Sequence, residues 1–487
     1  MKNYSRLLKT SFAVVVVLLT TACEKNFLDV NNNPNRISVS KIENVLPSCI
    51  GYTAYTLGNH FFIIGGLWGQ YVTQGPGSNQ YNDYDSWSFK STDMERVWRD
   101  LYAGTLKDLQ YIEQEATKTN NMNYVAIAKI WQAYVYQILT DAYGDIPFSE
   151  ALKSEDGMYF PKYDNQEAIY DGLIRLIDAG LAVINTNPEV AHPTNDDIIY
   201  GGNMSKWIRF ANTLKLKIYM RQSLIRPAVA QTGIQKMVAN GAQFIGEGED
   251  AEMKFFDDQF NRNPMYALVN GLNVENLIAS ATILDNMLPL DTRIDIFFKT
   301  ASTGPAKGQH NGLPQGRAKA VPAIAGANSD YSRPGNAVTG ATAPVIFMAA
   351  SESYFLQAEA VTRGWMPGNP KDLYERGIKQ SFTRWGKGAD AAPYIAQPEV
   401  DFPVAGTVND KVKSIITEKW LSMCCNQNFE SWTEWRRTGY PDFFEASASN
   451  KTGDVFPVRL VYPSNDILNN PNTVVKPITE RVWWDIN

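Results

Sequence analysis

Apolar residues recur at helical spacing through most of this chain, and that periodicity limits its fold more than any other feature. Met94, Val97, Trp98, Leu101, Tyr102, Leu106, Leu109 and Ile112 follow the i, i+3, i+4, i+7 template of a helix with one buried face. After the polar break TNNMN, Ala128, Trp131, Tyr134, Val135, Ile138 and Leu139 repeat it. Asn165 stands where an N-cap is needed, ahead of Ile169, Leu173, Leu176, Ile177, Leu181 and Ile184. Further amphipathic stretches cover about 204–225, 346–363, 371–384, 411–425 and 428–437. Helices that follow one another after short breaks form antiparallel hairpins, so the fold class expected is mainly α. The pairs SYFLQAEAV with LYERGIKQSF, and AKIWQAYVYQIL with AIYDGLIRLI, have the small and aromatic spacing of tetratricopeptide-like units. No period of about 34 residues persists, so the expectation is an interrupted helical-repeat scaffold and not a solenoid.

The texture changes between these blocks. Residues 300–344 are dense in Gly, Ala, Pro and Ser, which predicts a long irregular excursion, a feature that in compact proteins is usually functional or mobile. The tail after Gly439 carries Pro441, Pro457, Pro463, Pro471 and Pro477 and is expected to wrap the surface. Strand-like runs are few and short, near 456–460 and 474–478. In YGDIP, Gly144 can end a helix and Pro147 prevents it restarting. At 487 residues the chain exceeds one ordinary core, so a large fold with an insertion, or two abutting lobes, is expected.

At the N-terminus, Lys2, Arg6 and Lys9 precede an eight-residue apolar run from Phe12 to Leu19, far short of the roughly 20 residues that span a bilayer. Basic residues, a short apolar core and small residues describe a secretory signal, here 1–22. Thr20, Thr21 and Ala22 lead into Cys23 in the manner of a bacterial lipobox, with Leu19 four positions before the cysteine instead of three. Cys23 is therefore the expected lipidation site, followed by a polar tether that turns at Pro34.

The remaining chemistry-bearing residues exclude several functions. A net charge of −6 offers no basic face for nucleic acid. Cys49, Cys424 and Cys425 form neither a disulfide framework nor a C-x-x-C zinc pair. Three histidines without H-E-x-x-H give no metal site, and neither a G-x-S-x-G elbow nor a phosphate-binding G-x-x-x-x-G-K-[ST] loop is present. No cofactor is expected. Glu352 and Glu359, and Glu430 and Glu434, could serve as paired carboxylates of a glycosidase. With Lys419, Arg436 and Arg437 close in sequence, ion pairs are the favoured reading, and TEWRRTGYP is read as structural.

Four blocks in series carry a resemblance: NFLDVNNNPN behind Cys23, AKIWQAYVYQILTDAYGDIPFSEA at 128–151, SESYFLQAEAVTRGW at 351–365, and IITEKWLSMCCNQNFESWTEWRRTGYPDF at 415–443. Together they resemble the SusD/RagB family of Bacteroidetes outer-membrane lipoproteins. The resemblance implies a tetratricopeptide-like scaffold, 23–487, with helical parts at about 40–225 and 345–440 and a ligand-binding, irregular subdomain. It also implies a SusC/RagA-like TonB-dependent barrel as partner, and an oligosaccharide or, in RagB-like members, a peptide as ligand. Family members are not enzymes, which leaves a surface hydrolase as the lesser alternative.

Sugars present apolar faces that stack on rings and hydroxyls that need polar partners, so a sugar site mixes both types. The stretch GPGSNQYNDYDSWSF (75–89) has that mixture, with Tyr81, Tyr84 and Trp87 among Asn79, Gln80, Asn82, Asp83 and Asp85. Exposed aromatics on a supported loop suggest binding; the alternative is that they pin the loop to the helices. Trp68 belongs to a helix-like run with Phe61 and Ile64, where a core role competes with a ligand role. Tyr331 and Arg333 in the irregular excursion, and Trp365 after a helix, complete the candidate ligand residues.

Overall fold

The computed structural model describes residues 40–271, 275–322 and 324–487, so the expected signal segment, Cys23 and the Pro34 turn lie outside the described residues. The helix expected over 94–112 shows how the chain resolves a phase problem. Met94, Val97, Leu101, Leu106, Leu109 and Ile112 are all fully buried, yet Leu101 and Leu106 are five residues apart, one too many for a continuous α-helical face. The chain absorbs the extra residue in a π-helical segment, Asp100–Leu106, between α4 (Glu95–Arg99) and α5 (Lys107–Lys118).

Before this region come α1 (Ile42–Gly58), α2 (His60–Trp68), β1 (Val72–Gln74) and the one-turn α3 (Asn82–Asp85). After it come α6 (Met122–Tyr143), α7 (Gln166–Val183), α8 (Met204–Arg221) and α9 (Pro227–Ala239). The Asn165 side chain accepts the Ala168 N–H at 2.8 Å and so caps α7. Gly144, at φ +79°, ends α6. A stretch of short elements follows: β2 (Ala251–Met253), α10 (Pro264–Gly271), β3 (Leu277–Ala279), α11 (Ala281–Asn286), α12 (Ile294–Phe297), β4 (Phe298–Lys299), β5 (Arg333–Pro334) and α13 (Asn336–Thr339). Then β6 (Val345–Met348) leads into α14 (Ala350–Thr362), α15 (Pro370–Arg384), α16 (Ala391–Ile395), α17 (Val408–Met423), α18 (Asn428–Thr438) and α19 (Ser464–Asn469).

The fold is mainly helical, with Ile42–Asn487 forming one compact unit. Helix α6 packs against α5 and α7, α14 against α15 and α17, and α18 against α2 and α17. Small residues set these approaches. A Cβ at Gly377 of α15 would lie 2.8 Å from the Phe355 ring of α14, and one at Gly65 of α2 would lie 2.5 Å from the backbone of Asn428. The core centres on Trp131, whose ring meets Trp207, Phe210 and Phe347 and whose Nε1 donates to Thr53 Oγ1 at 3.2 Å. Its fully buried ring contributes about 2–3 kcal/mol in transfer free energy.

Among the described residues the strands form three antiparallel pairs, β1 with β3, β2 with β6 and β4 with β5. The two segments expected to be strand-like, 456–460 and 474–478, are not strands. They meet through a Val458 N–H to Ile478 carbonyl bond of 2.7 Å, and Pro457 and Pro477 remove the donors a ladder would need.

The paired glutamates lie in a buried ionic network. Lys217 sits 2.7 Å from Glu352, Arg437 meets Glu359 at 2.6 Å and Glu434 at 2.8 Å, and Lys419 meets Glu434 at 3.0 Å. Arg221 binds both Glu430 and Glu434 and reaches Asp141 at 3.3 Å. Arg436 instead donates to the carbonyls of Asp141 and Val458 and stacks 3.7 Å over Trp432.

Candidate functional site

The cleft of interest lies where the 75–89 loop, residues 257–270 and 275–277, and residues 333–342 of the excursion converge. Gln74 at the end of β1 organises the loop: its Nε2 donates to Ser78 Oγ at 2.6 Å and to the Asn276 carbonyl at 3.2 Å, while its Oε1 accepts the Tyr81 N–H at 2.8 Å. Asn328 ties the excursion to the same loop. Its Oδ1 accepts the Gly77 N–H at 2.8 Å, and its Nδ2 donates to Ser78 Oγ and to the Glu275 carbonyl.

Asp85 fastens the loop from below, accepting from Thr73 Oγ1 at 3.0 Å and from Gln315 Nε2 at 2.8 Å. Burial pushes its carboxyl up to about 7, against the opposing pull of those hydrogen bonds. Helix α10 supplies another wall. It starts at Pro264, a residue suited to the first helical position, and Asn263 caps it by accepting the Met265 N–H at 2.8 Å.

The resulting cleft has a volume of about 480 Å³. Tyr81, Tyr266, Leu268, Val269 and Leu277 give it apolar surface, while Asp257, Glu275, Asn276, Lys299, Arg333 and Asn336 give it polar groups. Three buried polar atoms of its lining residues have no hydrogen-bond partner among the described residues: Tyr81 Oη, Asn276 Oδ1 and Arg333 Nε. Tyr81 and Asn276 are only 6% and 5% exposed. Each such atom costs about 1–3 kcal/mol while unpaired, and the polar side chains that line the cleft suit it to a polyhydroxylated molecule. The adjoining loop carries Phe256 and Phe260, 63% and 88% exposed, and Arg262 lies over the Tyr266 ring at 5.3 Å. A second concavity of about 550 Å³ between α7, α8 and α9 is lined by Asp178, Arg209, Lys215 and aliphatic and amide side chains such as Leu181, Ile208, Met237 and Gln243, without any aromatic ring, so it lacks a stacking surface.

The residues singled out in the sequence are distributed unevenly around this cleft. Tyr81 and Arg333, 252 positions apart by number, line it together. Tyr84 is half-buried beside it, its ring 5.9 Å from that of Tyr81 and 5.1 Å from that of Phe89. Asn82 bonds Asn79, and exposed Asp83 pairs with Lys90 at 2.6 Å.

The tryptophans face inward. Trp87 is 3% exposed and packs 4.9 Å from Phe456, because a positive φ of 62° turns its side chain under the loop. Trp68 packs edge-on against Trp432 at 5.0 Å and donates Nε1 to the Tyr84 carbonyl at 3.1 Å, pinning the loop from beneath. Trp365 is buried with Leu216, Met220 and Leu356. Tyr331 packs against Ile278, Leu313 and Ala318. In this arrangement Trp68, Trp87 and Trp365 offer no ring face to a ligand, since each is the large apolar body that closes a core.

The region 254–266, KFFDDQFNRNPMY, was not singled out from sequence, although it mixes Phe256, Phe260 and Tyr266 with Asp257, Asn261 and Arg262 just as 75–89 does. Applying the same criterion to every turn-rich stretch would have found it. Among the described residues no group of three or more His, Cys, Asp or Glu is placed to hold a metal ion, and no helix is long and apolar enough to cross a membrane.

Comparison with known proteins agrees with this architecture. No curated protein matches the sequence significantly. A structure named as a chitin-binding protein is 25% identical, with a TM-score of 0.75 over 92% of this chain and 100% of its own. A SusD homolog from Bacteroides uniformis is 25% identical, with a TM-score of 0.77 over 91% of this chain and 99% of its own. A chitin-binding SusD homolog from Flavobacterium johnsoniae, 24% identical, has a TM-score of 0.77 over 92% of this chain and 97% of its own. The SusD-like family profile, described as starch-binding and associating with the outer membrane, matches residues 34–463, and the chain belongs to that family.

Proposed function

We propose that this is a cell-surface lipoprotein that captures an oligosaccharide in the Tyr81–Tyr266 cleft and delivers it to a SusC-like TonB-dependent barrel for uptake. The observation that carries this reading is the cleft itself, with aromatic rings beside three unpartnered buried polar atoms in a SusD-like fold. Stacking surface and polar lining groups together match the two faces of a sugar. The chitin-binding names of two structural neighbours point to the same ligand class. The cleft's two carboxylates, Asp257 and Glu275, are each engaged by an arginine, Arg262 and Arg333, which favours binding over hydrolysis.

Lipid on Cys23, after removal of residues 1–22, would hold the protein at the outer membrane. One acyl chain anchors only marginally, while two or more hold stably. Calorimetry with an oligosaccharide panel, on the intact protein and on Tyr266→Ala, tests the ligand assignment. Micromolar binding that Tyr266→Ala weakens by about 1 kcal/mol or more supports it. Binding of peptides instead of sugars, or release of reducing ends from the panel, overturns it. For the anchor, Cys23→Ala is expected to be soluble and folded, and full membrane retention of that variant rejects lipidation at this residue.

A further inference from the structure

Charge in the cleft is unevenly satisfied. Lys299 and Arg333 stand directly opposite one another in the β4–β5 pair, and both line the cleft. Directly opposed residues on antiparallel strands share one face of the sheet, and like charges in that position repel. Arg333 is paired with Glu275, and its buried Nε has no partner among the described residues. Asp257, the cleft's other carboxylate, is taken by Arg262 at 2.7 Å. Among the described residues Lys299 has no carboxylate within 4.0 Å. Of the four ionised side chains that line the cleft, Lys299 alone therefore lacks a counter-charge among the described residues, and it stands opposite the Arg333 guanidinium in a chain whose net charge is −6.

We infer that the ligand is an acidic oligosaccharide with a carboxylate or sulfate group lying between Lys299 and Arg333. An anionic group relieves the repulsion between the two cations and accepts from Lys299 Nζ and from the Arg333 guanidinium, forming the charge-assisted hydrogen bonds that are the strong ones. The neutral hydroxyls and ring faces of the sugar are left to Asn276, Tyr81 and Tyr266. This inference rests on the glycan reading of the cleft and adds the charge of the ligand to it.

The test is a binding panel of uronate-containing, sulfated and neutral oligosaccharides, followed by the carboxyl-reduced or desulfated form of the best acidic binder. The expected result is that the acidic form binds at least about tenfold more tightly than its neutralised counterpart, with an affinity that falls as salt is raised. Lys299→Ala, shown to be folded by an unchanged melting temperature, should lose that discrimination while still binding the neutralised form, and Lys299→Arg should restore it. Whether the uronates or the sulfated sugars bind identifies the anionic group. Equal affinity for acidic and neutralised forms overturns the inference and leaves the glycan reading standing, as does discrimination that survives Lys299→Ala. Binding of no member of the panel overturns both.

Discussion

Asp85 and Gln315, 230 positions apart, meet at 2.8 Å in the interior, with the glutamine Nε2 donating to the aspartate Oδ1. The bond joins the loop that carries Tyr81 to the excursion that carries Arg333. Gln315 donates also to the carbonyl of Leu67, at the end of α2, so the contact fastens both irregular segments to the helical scaffold. The candidate site thus depends on a few buried polar groups that hold its irregular segments beside α10 and the β4–β5 pair.

Titration of Asp85 should be visible in stability. Burial raises its carboxyl from an ordinary 3.8 to about 7, so the folded chain keeps a proton that the unfolded chain releases. The stabilisation from that proton is complete below about pH 4 and is lost as pH rises to about 7. Asp85→Asn loses one hydrogen-bond acceptor at every pH but does not suffer this loss. Between pH 5 and pH 8 the variant should therefore gain about 2–3 kcal/mol relative to the native protein in urea unfolding. Parallel pH profiles for the two proteins would refute the assignment.

Removing one carboxylate from the buried network should be severe. Burial works to raise Glu434, but Arg437, Lys419 and Arg221 together hold it well below the ordinary range. Glu434→Gln leaves these cations with one fewer counter-charge in a region closed to water, which costs about 3–5 kcal/mol. Chemical denaturation measures the loss directly. A change below about 1 kcal/mol would mean that water or a shifted side chain compensates.

Gly65→Ala separates helix propensity from packing. Alanine is the better helix former by about 1 kcal/mol, so on propensity alone α2 should gain. Its Cβ would, however, meet Asn428 and Phe429 backbone atoms at 2.5 Å, and backbone at the start of α18 has little room to retreat. The expected outcome is a net destabilisation of about 2 kcal/mol or more by thermal or urea unfolding. A neutral or stabilising result would show that α2 and α18 can move apart cheaply.

The helices were legible because their signal is local. Residues three and four apart share a face whatever the rest of the chain does, and Asn165 marks a cap by its own side chain. The π segment was concealed, since the five-residue step from Leu101 to Leu106 is easily absorbed into an α-helical template. Site residues were legible only where composition mattered. Tyr81 and Arg333 stand out as a ring and a charge in irregular sequence, but nothing local indicates that Gln74, Asn328 and Asp85 bring them to one cleft. Trp87 shows the converse: its polar neighbours suggest exposure, and the positive φ that buries it is a property of the folded loop. The ring-and-amide criterion did apply to 254–266, where Phe256, Phe260 and Tyr266 satisfy it.

Tyr81→Phe offers the most discriminating test of the cleft. The Tyr81 hydroxyl is buried and lacks a partner among the described residues, so it costs stability in the free protein. Phenylalanine keeps the ring that lines the cleft and its contact with Tyr84, and it removes only the oxygen. If the hydroxyl serves a ligand, the two effects must have opposite signs. The variant should be more stable than the native protein by about 1 kcal/mol, and should bind oligosaccharide more weakly by about 1 kcal/mol, the value of one neutral hydrogen bond. A merely structural tyrosine, bonded to water or to a neighbour, predicts instead that stability falls and affinity is unchanged. Unfolding and calorimetry on the same preparation decide between them, because the binding reading requires both signs at once.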